Sequence, residues 1–391
     1  MKSRIIFVLV FIFISISCYS RPVPPSNVIS VPEETEVCGI DRSTVSFIAV
    51  GDNLMHLSVL RAMEENGVYN FFPIYSEIKY IIEKADLAFV NQETVMAGTS
   101  YGYTGYPIFN SPQSLAYAVV DAGFNIINLA NNHALDMRAP GLYATLDFLD
   151  TIEGITVIGA RRSGVSHRIV NKNDITFGFL AYSFSTGGFP IPRDNPNLLS
   201  LINREVMQRE IAVLRPLCDF LIVSMHWGEE YLLEPDRSQT SLARFLADQN
   251  VDLIIGHHPH VLQHVETLNR PDGGTTLCFY SLGNFISNQR ERERLIGGMA
   301  VLTFEKERLV SDSGEITEKL SMNNLGVLPV VSHFDLNIRN YRAYPLYKYN
   351  QKLLENHGYR EFDPTGFTIE FFYSVLPRLR TNVILENPFK E

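Results

Sequence analysis

The sequence is poor in cysteine and in positive charge, and each shortage argues against a class of protein. Its 391 residues include four cysteines and no Cys-x-x-Cys pair, so no adjacent thiolates are present to hold a structural zinc. The formal net charge is −10 and no basic patch stands out, which argues against a nucleic acid as partner. No internal repeat is present. The remaining composition, 46% hydrophobic and 19% charged, is that of a globular chain with material for one large domain or two ordinary ones.

The longest hydrophobic run lies at the N-terminus and is typical of an export signal. Two cations precede an apolar stretch over residues 5–17, which is too short for a comfortable membrane span. Cys18 follows where a bacterial lipoprotein would be cleaved and lipidated, so residues 1–18 are predicted to be a signal peptide of the lipoprotein type. Residues 19–42 are rich in Pro and Glu and are predicted to form a flexible tether. We therefore expect an exported protein, anchored on the extracytoplasmic face of a membrane, with simple secretion and an uncleaved signal anchor as alternatives.

Strand-like and helix-like segments alternate along the rest of the chain. Such alternation predicts an α/β fold in which mixed β-sheets are flanked by helices. The main domain is expected over residues 43–334, and residues 335–391 are expected to form a C-terminal extension that packs on it. In open α/β sheets, binding sites gather beyond the carboxyl ends of the strands. The residues that follow each strand are therefore the candidates for a site.

Metal-binding side chains follow five of the predicted strands. The densest group is His257, His258 and His260, three imidazoles within four positions after a short buried strand over residues 253–256. The other strand ends carry Asp52 with His56, Glu93, Asn132 with His133, and His226. These ligand types are nitrogen and carboxylate oxygen without thiolate, which suit a pair of manganese, zinc or iron ions better than a structural zinc. Any one of these residues could occupy a turn by accident, but five strand ends together indicate a metal centre.

Six motifs resemble those of the CapA (PgsA) family, which belongs to the calcineurin-like metallophosphoesterase superfamily. They are Gly51-Asp52, Asn91-x-Glu93, Ala130-Asn-Asn-His133-x2-Asp136-x4-Gly141, His226-Trp-Gly-x-Glu230-Tyr231, Gly256-x-His258-Pro-His260-Val-x-Gln263 and Ser281-Leu-Gly-Asn-Phe285. The resemblance runs from about residue 45 to residue 304 and departs from the family at Gln92, where leucine is usual. It implies a metallophosphoesterase-like α/β sandwich. It also implies a role in making, exporting or anchoring poly-γ-glutamate, a capsule polymer joined by amide bonds.

The same resemblance implies a role for each strand-end residue. The first metal would be held by Asp52, His56 and His260. The second metal would be held by Asn132, His226 and His258. Glu93 would lie between the two metals. His133 would act as general acid or would stabilise the transition state, with Asp136 as its orienting partner. The residues expected to support the ligands are His257, which could also lie at the surface, Asn284 and Glu230. Two divalent metal ions would be the cofactors, and such a pair supports attack of activated water on a phosphoester or an amide.

Two functions fit these expectations. The first is a di-metal hydrolase outside the cytoplasm that acts on a phosphoester or on a γ-glutamyl amide. The second is a non-catalytic, membrane-tethered subunit that binds the polymer and depends on poly-γ-glutamate synthetase or export subunits as partners. A polyanionic polymer needs a cationic groove, and the dense basic segments are residues 161–162 and 290–294. Both are interpreted as solvated charged turns.

Overall fold

A computed structural model describes residues 37–311 and 315–390 of the chain. The predicted signal peptide, the predicted lipidation site Cys18 and residues 19–36 of the predicted tether lie outside the described residues. Within the described part of the chain, no helix has the length and apolar character that a membrane span requires.

Strands and helices alternate along the described residues. The strands are β1 (Val37–Asn53), β2 (Glu64–Glu65), β3 (Val68–Tyr69), β4 (Leu87–Gln92), β5 (Ile126–Asn128), β6 (Thr156–Ile158), β7 (Arg168–Lys172), β8 (Ile175–Ser183), β9 (Phe220–His226), β10 (Leu253–His257), β11 (Val265–Asn269), β12 (Thr275–Phe279), β13 (Asn284–Ile286), β14 (Ile296–Ser311), β15 (Ile316–Asp335) and β16 (Arg339–Pro345). The α-helices are α1 (Leu57–Ala62), α2 (Phe72–Tyr75), α3 (Lys79–Ile82), α4 (Ser114–Asp121), α5 (Arg138–Leu149), α6 (Arg204–Leu214), α7 (Arg237–Asp248), α8 (Gln351–Asn356) and α9 (Ile369–Val375).

The strands form two mixed sheets and a small hairpin of β2 and β3. The order of the first sheet is β16-β15-β14-β1-β4-β5-β6, and β13 also pairs with β1. The order of the second sheet is β11-β12-β10-β9-β8-β7. In the first sheet β1, β4, β5 and β6 are parallel, and in the second sheet β8, β9, β10 and β12 are parallel. The carboxyl ends of the parallel strands therefore lie at one edge of each sheet.

The two sheets pack face to face through aromatic side chains. The Phe177 ring of β8 lies edge-on to Phe304 of β14 with centroids 5.0 Å apart, and Phe220 of β9 contacts Phe304 at 4.6 Å. The outer face of the second sheet is covered by α6 and α7, whose Met207 and Leu246 are fully buried. β9 is apolar along most of its length because both of its faces are buried. The predicted α/β sandwich, with mixed sheets flanked by helices, is confirmed.

The first strand begins earlier than the sequence predicts. Residues 37–42 belong to the predicted tether, but β1 starts at Val37 and pairs with β14 from Val37↔Ser311 to Val50↔Met299. The β14–β15 hairpin supplies backbone partners that the local sequence of residues 37–42 does not reveal, because the pairing is long-range. The tether prediction is therefore wrong for these six residues.

The C-terminal residues continue the main sheet and its core. β15 crosses the predicted boundary between residues 334 and 335, and β16 extends the same sheet. Farther along, Phe372 of α9 and Leu379 are buried in the main hydrophobic core, and the backbone of Val383 forms a bridge to Val327 of β15. The sheet therefore continues across the boundary that the sequence predicts.

Candidate metal centre

The carboxyl ends of strands from both sheets meet at one place. In the first sheet Asp52 of β1 lies beside Asn91 of β4, which lies beside Asn128 of β5. In the second sheet His226 of β9 lies beside His257 of β10. Because these strands end at this edge, the residues that follow them project into a shared space. Parallel pairing thus brings the predicted strand ends together.

Two glycines let the backbone come close enough to build this edge. A Cβ atom on Gly51 would lie 1.9 Å from the carbonyl oxygen of Gly283, and one on Gly256 would lie 2.0 Å from that of Tyr280. Both distances are far below van der Waals contact, so these positions need a residue without a side chain. Gly51 directly precedes Asp52, and Gly256 precedes the cluster of histidines. The close approach therefore sets the positions of the candidate ligands.

Two groups of buried side chains share Glu93. The ligand atoms of Asp52, Glu93 and His260 all lie within 4.8 Å of one another, and so do those of Glu93, His226 and His258. Glu93 Oε1 lies 3.4 Å from His226 Nε2 and 4.0 Å from His260 Nε2. A carboxylate shared between two ligand groups is the arrangement that bridges a metal pair. The structure thus brings five of the implied ligands together.

Asn132 completes the second group. Its Oδ1 atom lies 2.8 Å from His226 Nε2, the same nitrogen that faces Glu93. An amide oxygen, a carboxylate and two imidazoles therefore converge on one point. This donor set suits Mn²⁺, Zn²⁺ or Fe²⁺.

A chain of asparagines fixes Asp52 in place. Asn91 Nδ2 donates to Asp52 Oδ1 over 2.8 Å, and Asn91 Oδ1 accepts from Asn128 Nδ2 over 2.9 Å. Sequence analysis assigns no role to Asn91 or Asn128. The signal that could have found them is their position in buried strands, where asparagine is disfavoured unless its amide is hydrogen-bonded.

His56 lies outside both ligand groups. Its Nδ1 accepts a hydrogen bond from the backbone N–H of Asn288 over 3.2 Å, and its ring packs edge-on against Phe109 with centroids 5.4 Å apart. The reason is local: β1 continues to Asn53, and the chain then turns so that His56 takes the position directly before α1. The structure therefore does not support the implied role of His56 as a ligand of the first metal.

Glu230 is nearer to the centre than the sequence suggests. Its carboxylate forms a third group with His258 and His260, again with all ligand atoms within 4.8 Å, although Glu230 itself is exposed. It is therefore placed to contact a cation or an incoming water directly, and not only to support other ligands.

Unsatisfied buried atoms show that the residues present fit a cation. Both carboxylate oxygens of Glu93, the residue that the two groups share, have no hydrogen-bond partner among the described residues and are shielded from solvent. Leaving such a group unsatisfied costs about 1–3 kcal/mol, and more for a charge. In addition, His258 has a φ of +99° and His260 a φ of +59°, a region that residues with side chains avoid. Ligation of metal ions would offset both costs.

The histidines differ in their protonation. Burial lowers the pKa of His226 to about 3 and that of His258 to about 2, so both rings are neutral. Burial also acts to lower the pKa of His260, but the charge of Glu93 and the hydrogen bond to Asp52 outweigh it and raise that pKa to about 9. Burial and the charge of Asp52 raise the pKa of Glu93 well above its ordinary range. Without a cation, the first group therefore holds at least one proton.

Metal binding is expected to release that proton and to strengthen as the pH rises. A ligand must lose its proton to bind a metal, so protons compete below the His260 pKa of about 9. We expect the apparent affinity for Mn²⁺ or Zn²⁺ to fall about tenfold per pH unit, for each proton displaced, between about pH 9 and pH 6. Calorimetric titration of the metal-free protein in buffers of different ionisation enthalpy measures the affinity and the number of protons released. Affinity that stays constant over this range would contradict the assignment.

His133 stands beside the second group as an oriented imidazole. Its Nδ1 atom donates to Asp136 Oδ2 over 2.9 Å, and the backbone N–H of Phe109 donates to the same oxygen over 2.6 Å. The Phe109 ring packs edge-on against the imidazole with centroids 4.6 Å apart. His133 Nε2 lies 3.5 Å from Asn132 Nδ2 and thus faces the centre. The arrangement fits proton transfer at Nε2 by a ring whose tautomer Asp136 fixes.

Comparison with known proteins decides the family. The family described as "Bacterial capsule synthesis protein PGA_cap" matches residues 46–289, which include every implied metal ligand. The chain belongs to this family. Its relatives include PGA biosynthesis protein CapA of Bacillus subtilis, 30% identical over 251 residues, which are 61% of this chain and 62% of that one. Capsule biosynthesis protein CapA of Bacillus anthracis is 32% identical over 180 residues, 44% of this chain and 42% of that one. The chain therefore spans less than two thirds of either relative.

Two solved structures that were compared with this PGA_cap protein are less similar to it in sequence than these relatives are. The NAD nucleotidase NadN of Haemophilus influenzae superposes with a TM-score of 0.45 at 12% identity, over 89% of this chain and 65% of that one. A 5'-nucleotidase precursor of Thermus thermophilus gives a TM-score of 0.42 at 17% identity, over 72% and 54%. The nucleotidase activity in these titles is a property of those proteins.

Two of the residues expected to support the ligands, Asn284 and His257, lie next to implied metal ligands. Asn284 Oδ1 lies 3.1 Å from His260 Nδ1 and orients that ring. His257 is fully buried, so the alternative of a surface position is wrong. Its ring stacks on Phe89 with centroids 5.5 Å apart, and its Nδ1 atom lies 3.7 Å from Asp52 Oδ1.

Aromatic side chains line the mouth of the centre. Phe184, the first residue after β8, is 47% exposed, and its ring centroid lies 4.5 Å from that of His258. Tyr231 is 38% exposed, and its ring centroid lies 6.1 Å from that of His260. Sequence analysis gives Phe184 no role because residues 183–200 have the composition of an ordinary surface loop.

The two dense basic segments are not simply solvated turns. Arg161 is 7% exposed and donates to Ser200 Oγ over 2.8 Å, so it has a structural role, while the neighbouring Arg162 pairs with Asp147 at the surface. In the second segment the Arg294 side chain is 17% exposed. Charge density along the sequence did not reveal this burial because the packing partners are distant in sequence.

Proposed function

We propose that this PGA_cap protein is a metal-dependent hydrolase that acts on a γ-glutamyl amide or on a phosphoester. The observation that carries the proposal is the pair of ligand groups that share Glu93, beside an imidazole held by Asp136. A subunit that only bound a polymer would gain nothing from an oriented proton donor at this point. The family, and relatives whose names state capsule or PGA biosynthesis, support the polymer as the substrate class.

The chemistry divides between the cofactors and the chain. The residues that would hold one divalent cation are Asp52, Glu93 and His260, and those that would hold the other are Glu93, Asn132, His226 and His258. Such a metal pair activates water and stabilises the charge that develops on the entering and leaving atoms. Asn91 keeps the Asp52 carboxylate aimed at the centre. Asp136 accepts from His133 Nδ1, so that the ring in its imidazolium form can give its Nε2 proton to the leaving group.

A metal assay combined with a turnover assay tests this function. The purified chain is analysed for bound elements and is then supplied with an aryl phosphate or with γ-linked glutamate oligomers. We expect about two metal equivalents per chain and turnover of one of the two substrates. His258→Ala should lose the second metal and the turnover, because His258 belongs to the group of Glu93 and His226 and not to the group of Asp52, Glu93 and His260. Metal retention without turnover of either substrate would instead support the non-catalytic, polymer-binding subunit.

We also propose that the protein works outside the cytoplasm, attached to a membrane through Cys18 and close to the synthetase or export subunits of the polymer. The support is the apolar stretch at residues 5–17 that ends at Cys18. Replacing the thiol in Cys18→Ser is expected to move the protein from the membrane fraction to the soluble fraction, as followed by cell fractionation. Unchanged membrane association of the variant would favour an uncleaved signal anchor and would contradict lipidation.

A further inference from the structure

The strands that carry the candidate ligands form a row with an arginine at each end. In the first sheet the row is β13, β1, β4 and β5, and it delivers Asn284, Asp52, Glu93 and Asn132 in that order. Adjacent strands lie about 4.8 Å apart, so the row extends for about 14 Å. The metal centre lies in its middle, at Glu93. Each end of the row therefore lies one to two strand spacings from the reacting atoms.

Arg294 lies at the β13 end of the row. Its carbonyl oxygen accepts a hydrogen bond from Asn284 Nδ2 over 3.0 Å, which ties it to the residue that orients His260. Its guanidinium carbon lies 3.3 Å from the ring centroid of Tyr231, and that ring lies 6.1 Å from His260. Stacking on Tyr231 holds the guanidinium at the mouth of the centre.

Arg138 lies at the β5 end of the row. It opens α5 only two residues after Asp136, the partner of His133. Its guanidinium carbon lies 3.5 Å from the ring centroid of Phe189, which belongs to the segment after β8. That segment passes close to the second ligand group, because a Cβ atom on its Gly187 would lie 2.6 Å from the carbonyl oxygen of Asn132.

Both guanidinium groups can receive a further anion. Among the described residues, no carboxylate lies within ion-pair distance of Arg138. Arg294 pairs with Glu291 over 2.7 Å, but the Glu291 side chain is 58% exposed, and an ion pair with an exposed partner contributes little. A substrate carboxylate can therefore replace Glu291 at little cost. Glu230, the other acidic residue near Tyr231, forms a ligand group with His258 and His260, so its charge would be directed at a cation.

We propose that Arg138 and Arg294 bind negatively charged groups of the substrate on the two sides of the reacting bond. The substrate is then an internal stretch of a chain that carries carboxylates at regular intervals, and not the end of that chain. This inference rests on the proposed function, since it assumes reaction at the metal centre. Hydrolysis of an internal amide breaks its C–N bond, and water supplies the hydroxyl to the carbonyl carbon and a proton to the nitrogen.

Binding of a labelled oligomer tests the proposal without relying on turnover. The probe is a γ-linked glutamate oligomer of about ten units, followed by fluorescence anisotropy with the full metal-loaded chain. We expect Arg138→Gln and Arg294→Gln each to weaken binding about fivefold or more, and the double variant to bind more weakly than either. Arg138→Lys and Arg294→Lys, which keep the charge, should retain more of the affinity than the glutamine variants. Binding of an aryl phosphate, whose one anionic group would sit at the metals, should change less than about twofold.

Arg308→Gln is the matched control. Arg308 is paired in register with Asp41 of β1, eleven residues before Asp52 and thus about 36 Å away along the strand. The control should bind the oligomer as the wild type does. If the wild type binds and both glutamine variants bind equally well, or only one of them is weakened, the two-sided site is wrong while the proposed function stands. If the metal-loaded wild type neither binds the oligomer nor hydrolyses either substrate, the proposed function fails and this inference falls with it.

Discussion

Glu93→Gln is expected to abolish retention of both metals, because Glu93 is the only residue common to the two buried groups that would hold them. Glutamine keeps the shape of the side chain but has one neutral oxygen where the carboxylate offers two charged ones. A ligand that binds only the native state raises the free energy of unfolding by about 2.7 kcal/mol when its concentration is 100 times its Kd. At such a concentration of Mn²⁺, each occupied site should add roughly that amount. Thermal unfolding with and without Mn²⁺ should therefore show a large metal-dependent shift in the wild type and none in the variant.

The metal-free proteins provide the sharper comparison. Both oxygens of Glu93 lack hydrogen-bond partners among the described residues, so the metal-free variant should be at least as stable as the metal-free wild type. A purely structural Glu93 would give the opposite order, with the variant less stable in the absence of metal. Glu355→Gln changes an exposed glutamate of α8 and should leave both melting temperatures unchanged.

His133→Asn is expected to lower kcat by about 10²- to 10⁴-fold while leaving the metal content unchanged. The reason is that His133 faces the centre through Nε2 but belongs to neither buried ligand group. Asparagine cannot transfer a proton, although it is similar in size to part of the imidazole. Steady-state kinetics on whichever substrate the wild type turns over, together with elemental analysis, measures the two quantities.

The partner of His133 gives a graded control. Asp136→Asn keeps an oxygen that can accept from Phe109 but removes the charge that orients the imidazole. We expect a smaller loss of kcat than in His133→Asn and an altered pH dependence of kcat. A His133→Asn protein that loses its metals, or that keeps full activity, would show that His133 has a different role.

That the candidate ligands lie close together could be predicted from the sequence, because each buried strand ends where a polar residue begins. Asp52, Glu93 and His226 follow apolar runs, and parallel strands place such ends at one edge. His56 follows the same strand as Asp52, but the turn after Asn53 carries it away from the ligand groups. The direction of a side chain after a strand depends on that turn, and the spacing alone did not reveal it.

Long-range pairing explains the parts of the fold that the sequence did not reveal. Residues 37–42 become a strand only because the distant β14 lies beside them. β16 likewise extends the sheet through its pairing with β15. The packing of Arg294 on Tyr231 is of the same kind, since two segments far apart in sequence meet at the mouth of the site. Local composition carries no information about any of these contacts.

Anomalous diffraction from crystals of the Mn²⁺-loaded protein tests the central claim most directly. The account predicts two peaks about 3.5–4 Å apart, with one carboxylate oxygen of Glu93 directed at each or one oxygen shared by both. Asp52 and His260 should lie at the first peak, and Asn132, His226 and His258 at the second. A single peak, or peaks that Glu93 does not contact, would contradict the di-metal centre and the function proposed for it.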